Sequence, residues 1–218
     1  DLAFEPSQIE KERPVVIEEW RLGQGAENRM QNKWFPVLFK GSRYGSRIPI
    51  GDEKILESYK PETLKRFYDT WYRPDLMAVV AVGDFDKSKV EGLITRYLGA
   101  IPRATNPQPR PVYPVPQYDS TLVSINSDKE ATQSVIRLLY KQPKRYNTTE
   151  ATYRQQLVES LFGAMFNDRF SEIVQHPNPP FINAFAAQGD LVRSAESFTL
   201  SAVVADNGIM RGLNALLT

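Results

Sequence analysis

The chain has no cysteine in 218 residues and a single histidine. The first absence excludes a disulfide framework, a thiolate metal cluster and a cysteine nucleophile, and leaves the compartment open. The second excludes a two-histidine metal site built from this chain alone. That histidine, His176, stands in Gln175-His176-Pro177-Asn178-Pro179-Pro180, where the prolines mark a helix end. Neither sign of charge is in excess: 27 Lys and Arg face 26 Asp and Glu, a formal charge of +1 with no basic run or tail. Nucleic-acid binding is therefore not expected. Long apolar runs are lacking too. The longest, Leu76 to Val82, is far too short to span a bilayer, and no charged-then-apolar leader opens the chain. There is no Gly-x-Ser-x-Gly elbow, no dinucleotide fingerprint and no Walker loop. Because it starts at Asp1 rather than Met, the chain is expected to be a piece of something longer.

The most informative stretch is Glu10-Lys11-Glu12-Arg13-Pro14-Val15-Val16-Ile17-Glu18-Glu19-Trp20-Arg21. Glu12 and Glu19 are seven residues apart, so at about 100° per residue they return to within roughly 20° of each other on a helix. If that face is buried, two acids enter an apolar setting and need a partner, a proton or a metal. The alternative is a solvated helix whose acids pair with Lys11, Arg13 and Arg21. Ser7 and Glu10 have capping-box spacing, which starts the helix upstream. Pro14 requires either a kink or a helix that begins at Pro14 and leaves Glu12 outside.

Further along, Ala26 to Phe39 predicts a helix with Pro36 near its end, and residues 41–51 read as an irregular loop. Pro61 starts a helix whose stripe Leu64, Phe67, Tyr68, Trp71 and Tyr72 is expected in the core. Leu76 to Val82 fits a strand covered on both faces. Asp86 caps a helix carrying Val90, Leu93, Ile94, Tyr97 and Leu98, which Gly99 closes. Six prolines between Pro102 and Pro116 resist helix and central strand, so this stretch is expected to be an extended connector. Beyond it, Ser120–Ile125 and Thr132–Tyr140 suggest a hairpin around residues 127–130. A long helix is expected from about Thr149 to Gln175 with Tyr153, Leu157, Leu161, Met165 and Phe166 inward. Strands at Phe181–Ala187 and Ser197–Ala205 and a short helix from Met210 follow. The expected fold class is α+β: residues 1–101, a connector at 102–116, and a second unit at 117–218, each unit incomplete.

Residues 12–21 resemble the helix that follows the catalytic helix in the pitrilysin/insulinase-type (M16-like) zinc peptidases, a family that includes the mitochondrial processing peptidases. Three further segments agree in order: Gly41-Ser42-Arg43-Tyr44 with Arg47-Ile48-Pro49-Ile50-Gly51, then Tyr68 to Asp75 leading into Val79 to Asp86, then Tyr153 to Ile173. The resemblance implies two α/β-sandwich-like units and an inverted zinc motif, H-x-x-E-H, on an earlier helix. There two histidines bind zinc and the Glu activates a water. A further Glu gives the third protein ligand, and by motif match that ligand is Glu19, with Glu12 supporting the site one face-repeat earlier.

This sequence contains no H-x-x-E-H. The resemblance therefore implies part of a zinc metalloendopeptidase that, as it stands, neither holds catalytic zinc nor cleaves peptides. The implied partners are a peptide or unfolded-protein substrate, the missing N-terminal segment and a second half or homologous subunit. A non-catalytic family member that scaffolds or presents substrate is the alternative, and a peptide-binding module working as this fragment is a third. A bacterial periplasm or envelope is the expected location.

Overall fold

The computed structural model describes residues 2–218. In chain order its elements are α1 (Pro6–Leu22), α2 (Ala26–Leu38), α3 (Glu53–Ser58), α4 (Pro61–Trp71), α5 (Lys87–Leu98), β1 (Ser134–Pro143), α6 (Glu150–Gln175), β2 (Asn183–Val192), β3 (Ala195–Val204) and α7 (Ile209–Leu217). The class is mixed: helices with one small antiparallel sheet. Two compact units divide the chain. One joins the residues up to Leu22 with Ile50–Pro111, and the other joins Gly23–Pro49 with Val112–Thr218. The proline-rich stretch at 102–116 is thus shared between units, and residues 23–49 group with the later part of the chain.

The unit containing 112–218 holds the sheet, in the order β1-β3-β2. β3 pairs antiparallel with both neighbours, Leu200 opposite Leu138 on one side and Ala186 on the other. β1 and β2 therefore run parallel, with α6 as the crossover between them and β3 inserted in the middle. Thr149 caps α6: its side chain accepts from the Thr152 N–H, and the Thr152 hydroxyl accepts from the Thr149 N–H. The expected helix is there, but its inner side lies further along. Tyr153, Leu157, Leu161 and Met165 are exposed, whereas Phe170 is buried and Phe166, Ile173 and Val174 pack with it. Over 26 residues the helix outruns the 10-residue strands, so its apolar first half extends past the sheet it covers.

The core is Ile136, Phe170, Phe181, Ala186, Leu200, Ala202, Val204 and Leu216. Asn167 of α6 joins it to edge strand β2, accepting from the Ala186 N–H at 2.7 Å and donating to the Ala186 carbonyl at 3.0 Å. α7 approaches the sheet at Gly212, where an added Cβ would lie 2.5 Å from Val204 Cγ1 and 3.0 Å from Ile136 Cδ1. The β2–β3 turn falls at residues 193–194, and Gly189 and Asp190 lie within β2, which runs past the expected end at Ala187. The expected first hairpin arm, Ser120–Ile125, is not a strand, and Ile125 is 91% exposed. β1 takes its partner from β3, which offers ten opposed residues where the 120–125 segment offers six.

The loop after α2 has a definite task. The Ser42 hydroxyl donates to the Pro114 carbonyl at 2.7 Å, Arg43 to the Tyr113 hydroxyl at 2.6 Å, and the Tyr118 hydroxyl to the Lys40 carbonyl at 2.9 Å. Lys141 spans Leu38 and Pro116 by donating to both carbonyls, at 3.2 and 3.0 Å. Gly41 sits at φ +74° with the Tyr118 hydroxyl 2.9 Å from where a Cβ would be, so only glycine fits there without a shift. The later half of the proline-rich stretch is pinned by these bonds rather than free.

Arg29 of α2 forks onto Asp128 with two bonds of 2.7 Å and reaches Glu130 at 2.6 Å. The Arg29 bond is the main cause that holds the Asp128 carboxyl well below the usual carboxylate range. A carboxyl lowered on folding stabilises above its unfolded pKa, and that contribution is lost as pH falls through the folded one. Asp128→Asn should therefore lower Tm at pH 7, and the gap from wild type should narrow steadily below about pH 4. A gap independent of pH in thermal scans would contradict this role.

The other unit is helical throughout its described elements, α1, α3, α4 and α5. Among its described residues only Ile9 and Arg73 are buried. The expected strand at 76–82 is not formed: after a short 3-10 turn at Pro74–Leu76 the chain is irregular, with Val79, Val80 and Val82 exposed by 53, 83 and 91%. A strand needs a neighbour for its N–H and C=O groups, and no strand lies among the described residues of this unit. For the same reason the stripe expected in the core is largely open: Leu64 and Phe67 on α4, Tyr72 at its C-cap, and Leu93, Tyr97 and Leu98 on α5 are exposed. The helix starts hold. Pro61 opens α4, and the Asp86 carboxylate accepts from the Lys89 N–H at 2.9 Å to cap α5.

Candidate metal centre

α1 begins at Pro6 and continues through Pro14 to Leu22. Ser7 is inside the helix rather than its cap, and Glu12 is inside too, so both acids belong to one helix. Seven residues at 1.5 Å each separate them by about 10 Å along the axis. Val15 and Leu22 share their face, and both are exposed, by 59 and 75%. The face is solvent-facing, so burial does not force the acids to find partners.

The ion pairs of α1 involve other acids. Arg13 binds Glu10 through Nη2 at 2.6 Å, and Arg21 binds Glu18 at 2.8 Å. Each bond is the main cause that lowers the pKa of its carboxyl, Glu10 and Glu18 respectively. Among the described residues Glu12 and Glu19 make no hydrogen bond or ion pair. Glu19 lines a surface hollow together with Pro14, Val15, Glu18 and Leu22. The arrangement is a pair of carboxylates without partners among the described residues, on a face shared with Val15 and Leu22 and beside acids paired to Arg13 and Arg21.

Zinc takes three or four N, O or S donors from a protein. Among the described residues no three His, Cys, Asp or Glu side chains gather into a group that could hold a metal. These residues therefore do not make a zinc centre by themselves; α1 offers at most one or two oxygen donors. His176 ends α6 as its C-cap, the role the prolines beside it indicated. No helix of the described residues is long and apolar enough to cross a membrane.

In the sequence Arg13 shows only as a salt-bridge partner for nearby acids. Its spacing of three from Glu10 is a sequence signal for that pair. Its bonds to the carbonyls of Leu56 and Tyr59, 43 and 46 residues away, have no local signature.

Residues 58–208 match the family described as Peptidase M16 inactive domain, and the chain belongs to that family. The chain is 37% identical over 193 residues to the zinc protease PQQL-like protein of Arabidopsis thaliana, covering 88% of this chain and 20% of that protein. It is 28% identical over 215 residues to the probable zinc protease PqqL of Escherichia coli K12, covering 98% of this chain and 23% of that protein. In structure it matches the first half of the periplasmic protease PqqL from Escherichia coli with a TM-score of 0.84 at 28% identity, covering 98% of this chain and 46% of that one. The chain thus spans about a fifth to a quarter of the curated relatives it matches. α1 lies upstream of the matched family segment.

Proposed function

We propose that this chain is part of a zinc-dependent metalloendopeptidase that hydrolyses peptides, with Glu19 as the third protein ligand of its zinc and Glu12 as a supporting acid. The observation that carries this reading is that Glu12 and Glu19, alone among the acids of residues 10–19, have no partner among the described residues and stand in line on one exposed face. Glu10 and Glu18 are each engaged by an arginine, which leaves Glu12 and Glu19 as the carboxylates of this stretch most open to a metal. Names of relatives as zinc proteases support the metal.

The histidine pair and the catalytic Glu belong, in this reading, to an upstream H-x-x-E-H segment, so the chain by itself is inactive. Residues 1–101 are read as the later part of the zinc-site domain and 117–218 as most of a second domain, joined through 102–116. The unpaired valines at 79, 80 and 82 and the open stripes on α4 and α5 support completion of the first domain by further β structure. The proposed partners are peptide or unfolded-protein substrate and a second peptidase half or homologous subunit. A bacterial envelope is the proposed location, supported by the periplasmic Escherichia coli neighbour. The family description as an inactive domain favours one alternative, a non-catalytic subunit that presents substrate to an active partner.

Zinc content and peptide hydrolysis, measured on this chain and on the longer polypeptide that contains it, test the proposal. Both are expected in the longer polypeptide and neither in the chain. Hydrolysis by the chain alone contradicts the proposal, and a longer polypeptide lacking both establishes the non-catalytic alternative.

A further inference from the structure

Pro14 lies in the interior of α1 and has no N–H to give to the carbonyl of Glu10, four residues earlier. A turn that loses this bond is where a helix kinks, and a kink here would rotate Glu19 away from Glu12. Across that same turn the Arg13 guanidinium reaches back to Glu10, Nε to Oε2 at 3.0 Å and Nη2 to Oε1 at 2.6 Å. A flat two-pronged fork fixes direction as well as distance.

The guanidinium has a second set of contacts. It donates to the carbonyls of Leu56 and Tyr59, the latter at 2.9 Å, and lies over the Tyr59 ring at 4.2 Å. Leu56 is in the last turn of α3 and Tyr59 is its C-cap, so these are carbonyls that the end of a helix leaves unpaired. A cation suits that end. The Arg13 side chain is only 12% exposed although its helix carries mostly exposed residues. One side chain thus bridges the interrupted turn of α1 and fixes that helix against α3.

We propose that Arg13 is the positioning residue of the Glu12–Glu19 face: it splints α1 across Pro14 and sets its rotation. The functional consequence rests on the reading of Glu19 as a metal ligand; the splint itself does not. The absence of cysteine makes the test direct. Cysteines placed at Glu12→Cys and Glu19→Cys carry nitroxide labels about 10 Å apart along the axis, within range of dipolar line broadening.

The labelled pair is compared in four backgrounds: otherwise unchanged, Arg13→Met, Pro14→Ala, and both. A narrow distance distribution is expected in all except Arg13→Met, where it broadens, because Pro14→Ala restores the backbone bond and removes the need for a splint. Arg13→Lys, a point charge without the fork, is expected to fall between. A residue that merely docks the helix gives the same broadening with or without Pro14. Equal broadening in both backgrounds, or none in either, overturns the proposal. These spectra do not depend on zinc, so a failure of Glu19 as ligand leaves them unchanged and is recognised separately by metal content.

Discussion

Phe170→Ala is expected to destabilise the sheet-bearing unit by about 3–5 kcal/mol, the usual cost of deleting a buried aromatic ring. Phe170 is 4% exposed and sits between two other rings, with Phe166 at 5.0 Å and Phe181 at 5.6 Å, both edge to face. Phe181 is more completely buried still, so the space left by the ring has little freedom to collapse from that side. Edge-to-face pairs add about 0.5–1.5 kcal/mol beyond area burial, and this change removes two of them. The same ring joins α6 to the core of the three-stranded sheet, so its loss weakens the helix contact as well as the packing. Urea unfolding followed by far-UV dichroism measures the effect. A loss below about 1 kcal/mol would contradict the placement of Phe170 at the centre of this core. Met165→Ala, by contrast, alters an exposed residue on the same helix and is expected to change stability by at most about 0.5 kcal/mol.

The contrast between Phe170 and Met165 also marks what the sequence made legible. Helix and strand existence came from local signals that survive in the fold: Thr149 before α6, Asp86 before α5, Pro61 opening α4 and the apolar runs of β1 and β3. Which face of α6 is inward did not follow from periodicity, because a stripe continues beyond the length of sheet available to cover it. The valine run at 76–82 has the composition of a buried strand but no ladder partner among the described residues, and composition cannot supply one. β2 and β3 meet as a local hairpin, whereas the pairing of β1 with β3 joins residues more than 50 apart and leaves no local trace.

The site divides in the same way. The alignment of Glu12 and Glu19 follows from the helical period and holds, because α1 passes through Pro14 instead of starting there. Their exposure and lack of partners depend on where Arg13 and Arg21 point, and the sequence allowed those cations to pair with any nearby acid. The membership of the chain in a peptidase family was legible from ordered motifs, and the family match across residues 58–208 agrees with it.

Glu19→Gln in the longer polypeptide is expected to produce the largest functional effect, since it replaces an anionic oxygen donor by a neutral amide of the same size. Under the proposed ligand role, this change should lower zinc affinity by more than the roughly 10- to 100-fold typical of a supporting residue. Glu12→Gln, as a change in support, should stay within that range. The helix itself is not at risk from either change, because both side chains are exposed and neither forms a bond within the described residues. The ratio of zinc to protein after dialysis against a competing chelator, measured for the unaltered polypeptide, Glu12→Gln and Glu19→Gln, is the direct test. About one zinc is expected in the first, partial retention in the second and none in the third; full retention by Glu19→Gln would overturn its assignment as a ligand.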